Sequence, residues 1–204
     1  MNAQPFIDFW NFSINWKTRT DGAKTDWKAL PSVLLSQAES TLKSVNPSAV
    51  LSLDETLVYA SINPQTDAIL KSWLTNWLNG QPSFNVSVRE RRLRATNIHC
   101  SQCGKTSVAC PSCGQRFQRS VEKGVDTAIV TDLLSLAWEG AYDVAILVSS
   151  DADFVPAVER VQERGLKVVN ARWSGGGHNL ANACWASFTL DELVTQMTRK
   201  QGRV

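Results

Sequence analysis

Four aspartates at three points of the chain could together hold a divalent cation: Asp8, Asp126, Asp151 and Asp153. Two carboxylates about 4 Å apart repel by about 4 kcal/mol at an effective dielectric of roughly 20. A cluster of three or four is therefore tolerable only with protons or a cation. Hard oxygen ligands with room left for water suit Mg²⁺ or Mn²⁺. Each acid also has an ordinary reading. Asp153 can cap a helix whose first turn includes Pro156, Asp126 can sit where a helix dipole favours negative charge, and Asp8 alone would be a surface acid. The metal reading is favoured because all of them fall at one expected edge of a sheet.

A second set has soft ligands. Cys100-Ser-Gln-Cys103-Gly and Cys110-Pro-Ser-Cys113-Gly are two C-x-x-C-G turns with six residues between them. Each turn can face both thiolates toward one ion, and the glycine permits the tight backbone behind it. Four thiolates make the closed tetrahedral set of structural Zn²⁺, with no position open for water. This predicts a small zinc ribbon over 98–118, too small to hold itself together without metal. His99 is read as merely adjacent, and the lone Cys184 as a buried small side chain.

Positioning falls to the stretch from Tyr142 to Val158. Val144 to Val148 is apolar throughout, as in a strand covered on both faces within a parallel sheet. The turn from Ser149 to Asp153 follows at its carboxyl end, where open α/β sheets bind ligands. A first strand is predicted over Pro5 to Phe9, with Asp8 near its end. Helices are predicted over Trp27 to Ser44, Thr66 to Leu78, Lys123 to about Trp138, Phe154 to Arg164, Asn179 to Ala186 and Leu190 to Thr198. The second of these carries Leu70, Trp73, Leu74, Trp77 and Leu78 as one apolar stripe, read as core. Ala49 to Leu53 and Thr56 to Ile62 read as one strand interrupted at Asp54-Glu55. Phe84 to Leu93 and Leu166 to Arg172 read as further strands, and Ser174 to Gly177 as a mobile loop near the site. Alternating strands and helices give a right-handed α/β architecture with a mainly parallel sheet.

The chain has 204 residues and 43% hydrophobic content, enough for one domain spanning 1–204 with the ribbon inserted in it. From Arg89 to Lys123 there are eight Lys or Arg against two Glu, a local charge of +6. The total of +2 leaves about −4 for the rest. A basic segment on a mildly acidic body points to a nucleic acid before a membrane. The start lacks a signal peptide's pattern, and no run is long enough to span a bilayer. The expectation is a cytoplasmic protein with reduced cysteines. Homo-oligomer formation is left open.

Three segments together resemble a known family: Ile7-Asp8-x-x-Asn11, Lys123-Gly124-Val125-Asp126, and Ser149-Ser150-Asp151-Ala152-Asp153-Phe154 with Pro156. The pattern is similar to the NYN domain of the PIN-like nuclease superfamily, in its LabA-like branch. The resemblance implies a three-layer α/β/α sandwich and metal-dependent phosphodiester cleavage, RNA before DNA. It implies that Asp8, Asp126 and Asp151 bind Mg²⁺ or Mn²⁺, that Asp153 contributes directly or through water, and that Asn11 orients substrate or water. Lys123 and the basic finger (Arg89, Arg91, Arg92, Arg94, Lys105, Arg116 and Arg119) would hold the phosphate backbone. This chain departs from the pattern at Phe9, Ser150 and Ala183-Cys184, the last standing where many relatives have Ala-Asp. A catalytically silent nucleic-acid-binding module of the same fold is the alternative.

Overall fold

The computed structural model describes residues 1–121 and 123–200, with main chain alone at position 120. Residues 201–204 of the expected domain lie outside the described residues. The chain runs β1 (Asn2–Asp8), α1 (Phe9–Arg19), α2 (Leu30–Lys43), β2 (Ser52–Leu53), β3 (Thr56–Ile62), α3 (Ala68–Ser72) with a π-helical turn (Trp73–Leu78), and β4 (Phe84–Glu90). The finger follows, with β5 (Arg92–Ala95), β6 (Ile98–His99), β7 (Thr106–Ser107) and β8 (Gln118–Val121). Then come α4 (Val125–Glu139), β9 (Val144–Val148), a 3₁₀ turn (Ala152–Phe154), α5 (Val155–Gln162), β10 (Lys167–Arg172), α6 (His178–Ala183) and β11 (Ala186–Thr189). A 3₁₀ turn (Leu190–Leu193) and α7 (Val194–Met197) close the described chain.

The main sheet is ordered β11-β10-β9-β1-β3-β4 and every pairing in it is parallel. β2 lies beside the start of β1, and β3 beside its end, so the two form one interrupted line along the same edge. In the centre, Ala3 faces Val144 and Ile7 faces Val148. Period-two alternation then divides the core. Ile7, Val58, Ile146 and Val169 pack with Phe12, Leu30 and Leu34 on one face. Phe6, Tyr59, Leu147 and Val168 pack with Ile129, Leu133 and Val158 on the other. Apolar side chains on both faces of the central strands require helices on both sides, which gives the expected three-layer α/β/α sandwich. Among the described residues, no helix is long and apolar enough to cross a membrane.

Four local readings change. α1 has no counterpart in the predicted elements. Asp8 caps it, and Phe9, Phe12 and Trp16 bury its inner face, so tertiary packing makes a helix of an aromatic-rich segment with modest propensity. The helix predicted over 66–78 breaks into α3 and a π turn, in which the Asn79 amide reaches the Leu74 carbonyl. The wider turn rotates the stripe. Leu74 and Leu78 stay buried, but Trp77 is 39% exposed and leaves the core. The helix predicted over 179–186 stops at Ala183, and Ala186–Thr189 pairs with β10 as an edge strand. The segment predicted as a helix over 190–198 is a 3₁₀ turn followed by the short α7.

Candidate active site

β1 and β9 end side by side, and their last turns hold the acids. Asp8 is the N-cap of α1: its Oδ1 accepts the Asn11 amide at 3.1 Å. Its Oδ2 accepts the Ser149 hydroxyl at 3.3 Å. The same Ser149 oxygen accepts the Asp151 amide at 3.2 Å, and Asp151 Oδ1 in turn accepts the Asp153 amide at 2.9 Å. Buried Ser149 therefore ties the two strand ends together and places Asp8 and Asp151, both half-buried, in one notch. Asn11 is half-buried beside Asp8, and Asp153 is exposed on the outer side of the 3₁₀ turn. Asp126 is exposed in the first turn of α4, and α4 packs against that 3₁₀ turn.

Asp8 and Asp151 thus end adjacent strands and share Ser149, Asp153 follows in the same turn, and Asp126 stands on the helix packed against that turn. Among the described residues, however, no three His, Cys, Asp or Glu side chains are close enough to hold an ion as a group. The donor chemistry still fits Mg²⁺ or Mn²⁺. Mg²⁺ keeps several waters and is commonly bound through one or two carboxylates plus substrate phosphate, and Asp8 with Asp151 supplies such a pair.

Two supports of this edge have no obvious mark in the sequence. Asn170 on β10 is fully buried and donates from Nδ2 to the carbonyls of Leu147 and Ser149, at 2.9 Å each, fixing the end of β9. The available clue was one amide side chain in the otherwise apolar run Val168-Val169-Asn170-Ala171. The Ser174–Gly177 loop is the second support. Gly177 has φ 69°, and a Cβ there would stand 2.9 Å from the Ser150 Cα, next to Asp151. Asp191 accepts the Ser174 amide at 2.8 Å and its hydroxyl at 2.9 Å. Arg19 bonds Asp191 at 2.9 Å and the Ser174 carbonyl. Burial pushes the Asp191 carboxyl up, but the bonds from Ser174 and Arg19 outweigh it and hold the group below its usual range. The loop read as mobile near the site is thus near it, and held by this clamp. Cys184 is buried, which pushes its thiol up to about 12 and keeps it neutral, so no fourth acid stands at that position.

A groove of about 870 Å³ opens between the end of β4 and the first turns of α4. Arg89, Arg91, Arg92 and Lys123 line it together with Glu90 and with Thr127, Thr131 and Asp132 of α4, so four cationic side chains face two carboxylates. Arg91 is partly committed to the fold: its Nε donates to Ser61 Oγ at 2.9 Å and its guanidinium lies 4.9 Å from the centre of the Trp10 ring. Arg94 and Arg119 lie outside the groove on the β5–β8 ribbon, and Lys105 and Arg116 farther along the finger; all four are exposed.

Within the finger the two C-x-x-C-G turns have the same backbone. The Cys100 amide bonds the Lys105 carbonyl and the Gly104 amide bonds the Cys100 carbonyl; Cys110, Gln115 and Gly114 repeat this with the same 2.9 Å distances. Gly104 and Gly114 have φ 69° and 71°, where a side chain would be strained. Amides of Cys103 and Gln102 bond the Cys100 sulfur and lower its pKa, as those of Cys113 and Ser112 do for Cys110. Each turn is therefore formed as a thiolate-holding knuckle, while the two knuckles do not meet as a group of three ligands.

An α/β/α sandwich built on a parallel sheet is consistent with a PIN-like fold. The chain belongs to the NYN domain family, whose pattern it matches over residues 6–191, and the NYN domain is a nuclease-type domain. No curated protein matches it. The fold is similar to that of a protein of unknown function from Vibrio parahaemolyticus, at 16% sequence identity and a TM-score of 0.56, over 97% of this chain and 96% of that one.

Proposed function

We propose that this protein is a metal-dependent endoribonuclease using Asp8, Asp126, Asp151 and Asp153 around Mg²⁺ or Mn²⁺. The observation that carries the reading is the Asp8–Ser149–Asp151 link at the ends of adjacent parallel strands. Asp8 and Asp151 present carboxylate oxygens from main chain fixed by the cap and by Asn170. Asn11, whose amide bonds Asp8, orients substrate or water. Lys123, Arg89 and Arg92 hold phosphates before and after the scissile bond. A divalent ion, when bound, supplies the positive charge that stabilises the developing negative charge on the phosphate and leaving oxygen.

The finger is read as a structural zinc module of Cys100, Cys103, Cys110 and Cys113. Support comes from two C-x-x-C-G knuckles whose main-chain hydrogen bonds repeat at the same distances. Metal analysis of the purified protein tests this separately. One zinc per chain, lost on Cys103→Ser, is the expected result; a protein purified without zinc that keeps its nucleic-acid affinity would remove the assignment.

Cleavage of labelled single-stranded RNA and DNA by wild type and Asp151→Asn, with Mn²⁺, Mg²⁺ or EDTA, tests the main reading. Metal-requiring cleavage of RNA that vanishes in the variant is expected. Retention of RNA by both proteins without cleavage would replace the nuclease by a binding module of the same fold. Equal cleavage by both would take the chemistry away from this site.

A further inference from the structure

Arg94 on β5 stands directly opposite Arg119 on β8. Opposed residues of an antiparallel pair share a face, with Cβ atoms about 4.5–5.5 Å apart, and like charges placed so are destabilising. Both arginines are exposed, and among the described residues neither has a carboxylate partner. Arg92 precedes Arg94 by two positions, which puts it on the same face about 7 Å along the strand. Leu93 and Ala95 take the opposite face. The arginine face is continuous with the groove, because Arg92 also lines it beside Lys123.

Both arginines of β5 share one face, and β8 adds a third directly across from one of them. The ribbon carries a like-charge pair that an anion between the two guanidiniums would relieve. A guanidinium presents forked donors that match phosphate oxygens, and two of them can bind one phosphate from both sides.

We propose that Arg94 and Arg119 form a clamp for a single phosphodiester of a nucleic-acid strand, at the outer end of a track that begins at Lys123 and Arg92. The clamp rests on the nucleic-acid partner proposed above but not on cleavage. It would make the ribbon a second anchor, holding the strand outside the acidic edge.

The test is binding of a fluorescent single-stranded oligoribonucleotide by the full chain, in EDTA, across a salt series. Wild type is compared with Arg94→Gln, Arg119→Gln and the double variant, with Arg94→Lys as the charge-conserving control. Each phosphate neutralised on a single strand contributes about 0.7 to the slope of log affinity against log salt. Either glutamine alone is expected to weaken binding with the slope retained, because one guanidinium still meets the phosphate. The double variant is expected to lower the slope by about 0.7, the value for one phosphate; Arg94→Lys keeps the slope. A double variant with an unchanged slope overturns the clamp, and so does a loss of about twice that size, which would mean two independent contacts. No binding by wild type overturns the clamp together with the nucleic-acid partner. Absence of cleavage in the separate Mn²⁺ and Mg²⁺ assay, with the expected slopes here, overturns the nuclease reading and leaves the clamp in place.

Discussion

Asp8 does two jobs with its two oxygens. One caps α1 through the Asn11 amide and the other takes the Ser149 hydroxyl. Substitutions separate these jobs. Asn is as good an N-cap as Asp, so Asp8→Asn is expected to keep stability near wild type while abolishing cleavage. Asp8→Ala also loses the cap, at about 1 kcal/mol. Urea unfolding beside RNA cleavage reads both effects. Asp191 gives a pH-dependent case. Its carboxyl is lower in the folded state than the ordinary value of 3.8. Such a group adds stability above its unfolded pKa and loses it as pH falls through the folded one. The stability difference between wild type and Asp191→Asn is therefore expected to be full at neutral pH and to shrink below pH 3.8. Denaturant melts at neutral and strongly acid pH measure it. A constant difference would mean that the clamp does not depend on the charge of Asp191.

At the scale of elements, the Ser174–Gly177 loop meets the β9 turn at one close contact. Gly177→Ala places a methyl 2.9 Å from the Ser150 Cα at φ 69°. The cost is expected at about 1–3 kcal/mol, and because Ser150 precedes Asp151, a further loss of turnover should exceed what lower stability explains. Activity measured well below the melting temperature distinguishes the two. The finger is a separate element, with ribbons β5–β8 and β6–β7 outside the main sheet. Cys103→Ser is accordingly expected to disrupt the finger and weaken RNA binding while leaving the main thermal transition in place. One merged, strongly lowered transition would show that finger and sandwich fold as one unit.

The molecule as a whole puts its stability and its chemistry in different places. The sandwich is held by apolar strands covered on both faces, with all of β9 buried. Ile146→Ala, at the centre of β9, is expected to cost about 2–5 kcal/mol by chemical denaturation. The reactive groups occupy the carboxyl edge, where strands end and capped turns begin. The basic surface stands beyond it, on the β4 end, α4 and the ribbon. On the proposed function, an acidic edge and a basic surface suit a substrate that is a polyanion with a reactive phosphate.

The apolar run Val144 to Val148, the turn behind it, the C-x-x-C-G pairs and the block of arginines were legible in the sequence because each is a local pattern with one physical reading. Strand, acid positions and finger follow from neighbours within a few residues of one another. The layered sheet follows as well, since a strand apolar on both faces must be covered twice. Other features were settled only by contacts between distant segments. Asn170 braces β9 from the next strand, and Asp191 reaches Arg19 across nearly the whole chain. α1 is helical because its aromatic face is buried, and Trp77 leaves the core because a π turn rotates it outward. The Arg94–Arg119 opposition depends on the register of two strands separated by the whole knuckle region. Residue types determined which chemistry the chain could support. Packing and register, which sum contacts far apart in sequence, decided which side chains meet.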